Sequence, residues 1–272
     1  MDGAALYWVG NLLLGLAVGA LGTLIGAGGG FILVPVLLLL HPGESPEAIA
    51  TLSLAVIFFN AFSGTLAYAR MRRIDYRAGV VFSLATVPGA AVGAYATEFL
   101  ARGTFNAIMG IVLLCVAAAL LRWPVVPGRK SDRQSAAGSA PEATGPPHPR
   151  RYSLTIGMAI SLVVGFVSSL LGIGGGIIHV PALVYVLGFP VHVATATSHF
   201  ILAVMALVGT LVHLFLGQFT QAYELLPLAI GVILGAQLGA SVSRRVHGRW
   251  IVRVLGAALA IVGIRLLAMA LL

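Results

Sequence analysis

Gly26-Ala27-Gly28-Gly29-Gly30 and Gly172-Ile173-Gly174-Gly175-Gly176 interrupt two of the most apolar stretches of the chain, and Val-Pro follows each, at Val34-Pro35 and Val180-Pro181. Each glycine costs a helix about 1 kcal/mol against alanine, so a cluster breaks it. Glycine also permits positive φ angles and close backbone approach. A helix restarting after such a break presents unpaired N–H groups and the positive end of its dipole, which suits an anion. Gly26, Gly28, Gly29, Gly30, Gly172, Gly174, Gly175 and Gly176 are therefore candidate anion-binding positions. The alternative is helix packing, where small residues let helices approach closely. That suits the spaced pairs Gly15/Gly19, Gly89/Gly93 and Gly235/Gly239 better than consecutive glycines, which do not line one helix face. A nucleotide loop is excluded, because "GAGGGF" lacks the Gly-Lys-Ser/Thr ending.

Few polar side chains occur in the apolar segments. Thr51 and Ser53 open one segment, and Thr195, Thr197, Ser198 and His199 occupy the matching place later in the chain. Their hydroxyls either donate to an oxyanion or bond back to the helix backbone. Asn60 and Gln237 lie mid-segment and serve either a binding cavity or an interhelical hydrogen bond. His179 and His199 are candidates for the site and for proton coupling, since histidine titrates near neutral pH; His213 reads as interfacial. Ser53, Asn60, His179, Thr197, Ser198 and His199 complete the candidate set. No carboxylate or thiol accompanies the histidines, so no metal site, cofactor or catalytic constellation is expected. Glu98 and Glu224 lie at segment ends, and Cys115, the single cysteine, reads as a small packing residue.

The elements that position these residues belong in a membrane. Hydrophobic residues make up 59% of the 272, charged residues 9%, and the mean hydropathy is +1.03. Apolar runs at 6–25, 48–69, 78–97, 103–121, 154–171, 191–217, 224–243 and 251–271 are long enough to cross a hydrocarbon core about 30 Å thick. The runs 31–40 and 177–187, just after the glycine clusters, are shorter and suit half-helices or re-entrant segments. The polar stretch 123–152, rich in Pro, Gly, Ser and charge, reads as a disordered cytoplasmic linker between membrane repeats at 1–122 and 153–272.

The two halves match well beyond the glycines. Ser53 falls on Ser198, Gly64-Thr65 on Gly209-Thr210, and Gly89 to Ala94 on Gly235 to Ala240. Basic residues cluster at Arg70 to Arg77, in the linker, and at Arg244 to Arg253. Placing all three clusters inside leaves only Arg102 and Arg265 of the 16 Lys and Arg elsewhere. That choice turns the halves opposite ways up. The expected fold is all-α and polytopic, with two inverted-topology repeats of about four to five helical segments, each holding one Gly-broken short or re-entrant helix. The net charge of +8 follows from this topology and does not signal nucleic acid.

The doubled "GAGGGFILVP" and "GIGGGIIHVP", each followed by a Ser/Thr-containing helix start, resemble the sulfite exporter TauE/SafE family of bacterial membrane transporters. The resemblance covers nearly the whole chain outside the linker. It implies a multi-pass protein of the cytoplasmic (cell inner) membrane that moves small sulfur-containing anions such as sulfite or sulfonates. Leu52 stands where the second half has Thr197, so the polar turn is complete only there. Inverted repeats with broken helices point to a secondary transporter, by export and with proton coupling as an added expectation. An anion channel of the same architecture is the alternative, with an intramembrane enzyme or an assembly subunit further off. The expected partners are a small anion and the lipid bilayer, with no nucleic acid; oligomeric state is not legible.

Overall fold

The computed structural model describes residues 3–122, 152–218, 222–243 and 249–271. The linker expectation, the ends of the chain and the basic pair Arg244/Arg245 lie outside them. Ten α-helices and no strands occur among the described residues: α1 (Gly3–Ile25), α2 (Gly30–Leu40), α3 (Pro46–Arg70), α4 (Tyr76–Thr97), α5 (Arg102–Arg122), α6 (Leu154–Leu171), α7 (Gly176–Pro181), α8 (Val191–Phe215), α9 (Ala222–Val242) and α10 (Arg249–Leu271). Seven of them, α1, α3, α4, α5, α6, α8 and α9, are long and apolar enough to span a membrane. The protein is an all-helical, multi-pass membrane protein, as the hydropathy requires.

Local sequence sets the boundaries. Ser45, Asp75 and Ser153 cap α3, α4 and α6 by accepting from the N–H groups of Ala48, Ala78 and Ile156, the arrangement favoured at helix starts. Glycines at positive φ end α1 and α6: Gly26 at 86° and Gly172 at 67°. Both short helices contain their proline, Pro35 in α2 and Pro181 at the end of α7. Proline removes a helix hydrogen bond, and after Pro181 the chain continues as one π-helical turn, Ala182–Val186.

The helices group into two compact units that cut across the sequence halves. One comprises residues 1–105 and 146–245, the other 106–145 and 246–272. In the second unit, Gly110 and Gly263 face one another across α5 and α10, where a methyl at Gly110 would lie 2.9 Å from the Gly263 carbonyl oxygen. Cys115 of α5 is exposed, which corrects its reading as a packing residue.

The first unit obeys an exchange of the two halves. α1 packs on α9 and α6 on α4; α3 packs on α9 and α8 on α4; α3 and α8 pack on each other. The match reaches single atoms. A methyl on Gly19 would meet the Val232 carbonyl oxygen at 2.6 Å, and one on Gly165 would meet the Thr86 carbonyl oxygen at 2.6 Å. These are the same contact made twice by matching residues. In hydrocarbon, where lipid tails are as apolar as leucine, such close packing is what holds helices together. The spaced glycines are seam residues, as their pattern suggested.

Candidate functional site

The glycine breaks are the link between α1 and α2 and the link between α6 and α7, and they lie against each other at the centre of the first unit. All eight candidate glycines are buried. A methyl on Gly30 would sit 2.6 Å from the Ile173 carbonyl oxygen, and one on Gly176 would sit 2.7 Å from Ala27 Cα. Gly28 and Gly174 share one boundary, the side chains of Ile57 on α3 and Leu202 on α8. Positive φ occurs at Gly26, Gly28 and Gly29 in the first break, and at Gly172 and Gly174 in the second. Gly175 departs from its counterpart Gly29 with φ −61°.

The serines at the helix starts stitch the breaks crosswise. Ser53 on α3 donates to the carbonyl of Gly172 at 2.7 Å, and Ser198 on α8 donates to the carbonyl of Gly26 at 3.2 Å. Each half therefore caps the break of the other. Both hydroxyls are fully buried and bonded to a backbone carbonyl of the opposite half, rather than back to their own helices.

Around the first break the polar side chains form one network. Asn60 Nδ2 donates to the Gly28 carbonyl at 2.8 Å, and Thr23 donates to Asn60 Oδ1 at 3.0 Å. His199 Nε2 shares a hydrogen bond with Thr23 Oγ1 at 3.3 Å, and Tyr68 donates to the Thr23 carbonyl at 2.8 Å. Because the Thr23 proton points to Asn60, Thr23 Oγ1 is left to accept from His199 Nε2. His199 also packs edge-on against Tyr68, with ring centroids 5.4 Å apart. The matching residues beside the second break are Ser169, Met205, Leu54 and His213. There the wall is apolar, with Leu54 and Met205 in one buried cluster, and the hydroxyls of Ser168 and Ser169 are buried without a hydrogen-bond partner.

The remaining candidates divide. His179, on α7, shares a hydrogen bond with Ser161 at 3.0 Å and is buried at the second break's side. Thr197 does not join the breaks. Its Oγ1 accepts from the backbone N–H of Asp75, at the start of α4, at 3.0 Å. Gln237 bonds the carbonyl and hydroxyl of Ser63, joining α9 to α3. His213, in the last turn of α8, is fully buried in the protein and bonds Gln218 at 2.6 Å. Among the described residues no three His, Cys, Asp or Glu come together as metal ligands.

Thr23, Tyr68, Ser161, Ser168 and Ser169 escaped the sequence reading. A signal existed for two of them, since Thr23 and Ser169 are matching residues just ahead of their breaks. Asn60 is the linchpin of the network. Asn60→Leu would take the donor from the buried Gly28 carbonyl and the acceptor from the Thr23 hydroxyl, which keeps only His199, at about 1–3 kcal/mol for each lost bond. The expected outcome is a lowered melting temperature for the purified protein, and Asn60→Asp should lower it too, because a carboxylate oxygen then replaces the amide that donates to the Gly28 carbonyl.

The comparisons agree with this architecture. The chain matches the sulfite exporter TauE/SafE family over residues 11–266. It is 32% identical over 262 residues to the probable membrane transporter protein YunE of Bacillus subtilis, covering 94% of this chain and 96% of that one. Identity to the probable membrane transporter protein MJ0441 of Methanocaldococcus jannaschii is 23% over 270 residues, with 94% of each chain covered. The probable membrane transporter protein YfcA of Escherichia coli K12 is 25% identical over 242 residues, covering 86% and 82%. No solved structure matches the chain. With its doubled glycine breaks, its spanning helices and a family match along nearly its whole length, the chain belongs to the sulfite exporter TauE/SafE family of membrane transporters.

Proposed function

We propose that the protein is a secondary transporter that exports small sulfur-containing anions through a site built at the two glycine breaks, by rocking one inverted repeat against the other. The observation that carries this reading is the crosswise pair Ser53–Gly172 and Ser198–Gly26. It makes the breaks the joint between the halves, the place where alternating access puts a substrate. The amides at the start of α2 and the unpartnered hydroxyls of Ser168 and Ser169 are donors suited to a compact oxyanion. The family description supplies the sulfur chemistry.

The inverted arrangement is supported by which ends of the helices meet. His41, after α2, lies 3.5 Å from Glu224 at the start of α9. Tyr152, before α6, packs at a tilt on Phe189, after α7, with ring centroids 4.9 Å apart. Parallel repeats would put the connection after α2 on the side of the connection after α7, away from the start of α9. For labelling, Gly43 suits the connection after α2, being exposed with no atom within 4 Å of an added methyl. In intact cells an impermeant maleimide is expected to modify Gly43→Cys and not Ser135→Cys, in a Cys115→Ala background. Equal labelling of both sinks the inverted repeat and the cytoplasmic linker together.

Transport itself is tested in everted vesicles with sulfite, sulfoacetate, taurine and sulfate, with and without a pH gradient. Saturable sulfite flux that a gradient drives uphill supports the reading. Absence of saturable flux for all four overturns it, and flux that no gradient drives uphill replaces it with a channel.

A further inference from the structure

The buried histidines His179 and His199 are each tied to a hydroxyl inside the protein. A carboxylate and a histidine also meet at the end of α2. Glu224, at the start of α9 and 9% exposed, accepts a hydrogen bond from the Tyr7 hydroxyl of α1 at 2.5 Å. Its other oxygen has no hydrogen-bond partner and sits 3.5 Å from His41 Nε2. That separation is within ion-pair range when His41 is protonated, but longer than the roughly 2.7–2.9 Å of a charge-assisted N–H···O bond.

His41 is also the residue that ends α2. Its backbone N–H donates to the Leu37 carbonyl at 2.8 Å, and its own carbonyl accepts from Arg102 at 3.4 Å. Arg102 further holds the carbonyls of Glu44 and Leu38. The far end of α2, eleven residues away, is the first glycine break. One short helix thus connects a titratable pair to the candidate substrate joint.

The counterparts of the three residues make the device one-sided. The positions that match Tyr7, His41 and Glu224 in the opposite halves hold Ser153, Leu187 and Ala78. Leu187 and Ala78 belong to one buried apolar cluster with Phe82, Leu183, Phe189 and Val193. The pairing of His41 with Glu224 thus has only apolar side chains at the matching positions.

We propose that Tyr7, His41 and Glu224 form a proton-operated latch on the C-terminal end of α2, and that this is where a proton enters the transport cycle. It rests on the proposed reading that the site at the glycine breaks rearranges as one repeat rocks against the other. A proton on His41 closes the gap to Glu224 and clamps α2 to α9; loss of that proton, with this end open to solvent, frees it. The neighbouring groups are Tyr223 beside Tyr7, Glu44 beside Arg102, and Glu47 of α3 beside His213 of α8. Arg102 holds backbone carbonyls in both states and carries no switch.

The test is hydrogen–deuterium exchange of the full chain in nanodiscs at pH 5.5 and pH 8, read on peptides covering Gly30 to His41 after correction for intrinsic exchange. In the wild type, α2 is expected to exchange about ten-fold more slowly at the lower pH, the scale of one hydrogen bond to a charged group. His41→Gln should exchange quickly at both pH values, His41→Arg slowly at both, and Glu224→Gln without pH response. A structural role alone would not produce opposite, pH-independent extremes in the two His41 variants. Wild-type protection that ignores pH, or a pH response that survives His41→Gln, overturns the latch. Sulfite flux measured on the same samples separates the two proposals: a working latch without sulfite transport removes the substrate reading alone, and sulfite transport with a pH-blind α2 removes the latch alone.

Discussion

Leucine at Gly19 or at Gly165 is expected to abolish folded protein, whereas leucine at Gly10 should leave it intact. At the first two positions the added Cβ alone falls 2.6 Å from a backbone oxygen of the facing helix. Backbone cannot rotate away as a side chain can, so α1 must separate from α9, or α6 from α4. The whole close-packed seam is lost with it, and the cost exceeds the roughly 4–5 kcal/mol that marks exceptional single substitutions. Gly10 lies on an exposed face of α1 with nothing within 4 Å. The measurement is a monodisperse size-exclusion peak and a melting curve for each variant; a folded Gly19→Leu protein would contradict the seam. Gly29→Leu joins the unfolding class, because Gly29 has φ 84° and its Cβ would lie 2.8 Å from the Val18 carbonyl oxygen. The milder probe of the breaks is alanine at Gly28 or Gly174. There the methyl meets only the Ile57 and Leu202 side chains, at 3.2–3.4 Å at the closest, and positive φ costs about 1–2 kcal/mol. Those variants are expected to fold and to transport more slowly.

Why the seam glycines were legible and the polar network was not has a physical basis. Spacing of small residues is a local property of one helix, and so is a run of apolar residues long enough to span. Every helix start, the two breaks and the matching of the halves could be read from such local patterns. The network could not, because each of its bonds crosses between elements. Asn60 is visible as a polar residue mid-segment, but its partners are Thr23 on α1 and the backbone of Gly28. His199 belongs by sequence to the second half and by contact to the first break, so the polar turn that looked like equipment of its own half serves the other. Thr197 illustrates the converse. It adjoins Ser198 in sequence, yet it turns to Asp75 at the start of α4. Neighbours on a helix point about 100° apart, and only packing decides which of them meets the breaks.

Ser53→Ala combined with Ser198→Ala is expected to eliminate transport while the helices remain assembled. Each substitution removes one hydroxyl and leaves one buried carbonyl, Gly172 or Gly26, without that donor, at about 1–3 kcal/mol. No close seam is disturbed, since serine and alanine differ by one oxygen, so the protein should still give a monodisperse peak with a lowered melting temperature. The two bonds are matching contacts across one joint, and a single loss leaves the opposite stitch in place. The single variants should therefore retain part of the flux, with Ser53→Ala the more damaging because its bond is shorter, 2.7 Å against 3.2 Å. If the stitches act together to set the relation between the halves, the loss in the double variant exceeds the sum of the singles, which a double-mutant cycle on sulfite flux reads directly. Ser53→Thr and Ser198→Thr keep the hydroxyl and serve as the rescue arm. Additive losses would mean that each serine supports only the break it touches. Wild-type flux in the double variant would show that the halves move without making or breaking these bonds, and the joint would then have to be placed elsewhere in the unit.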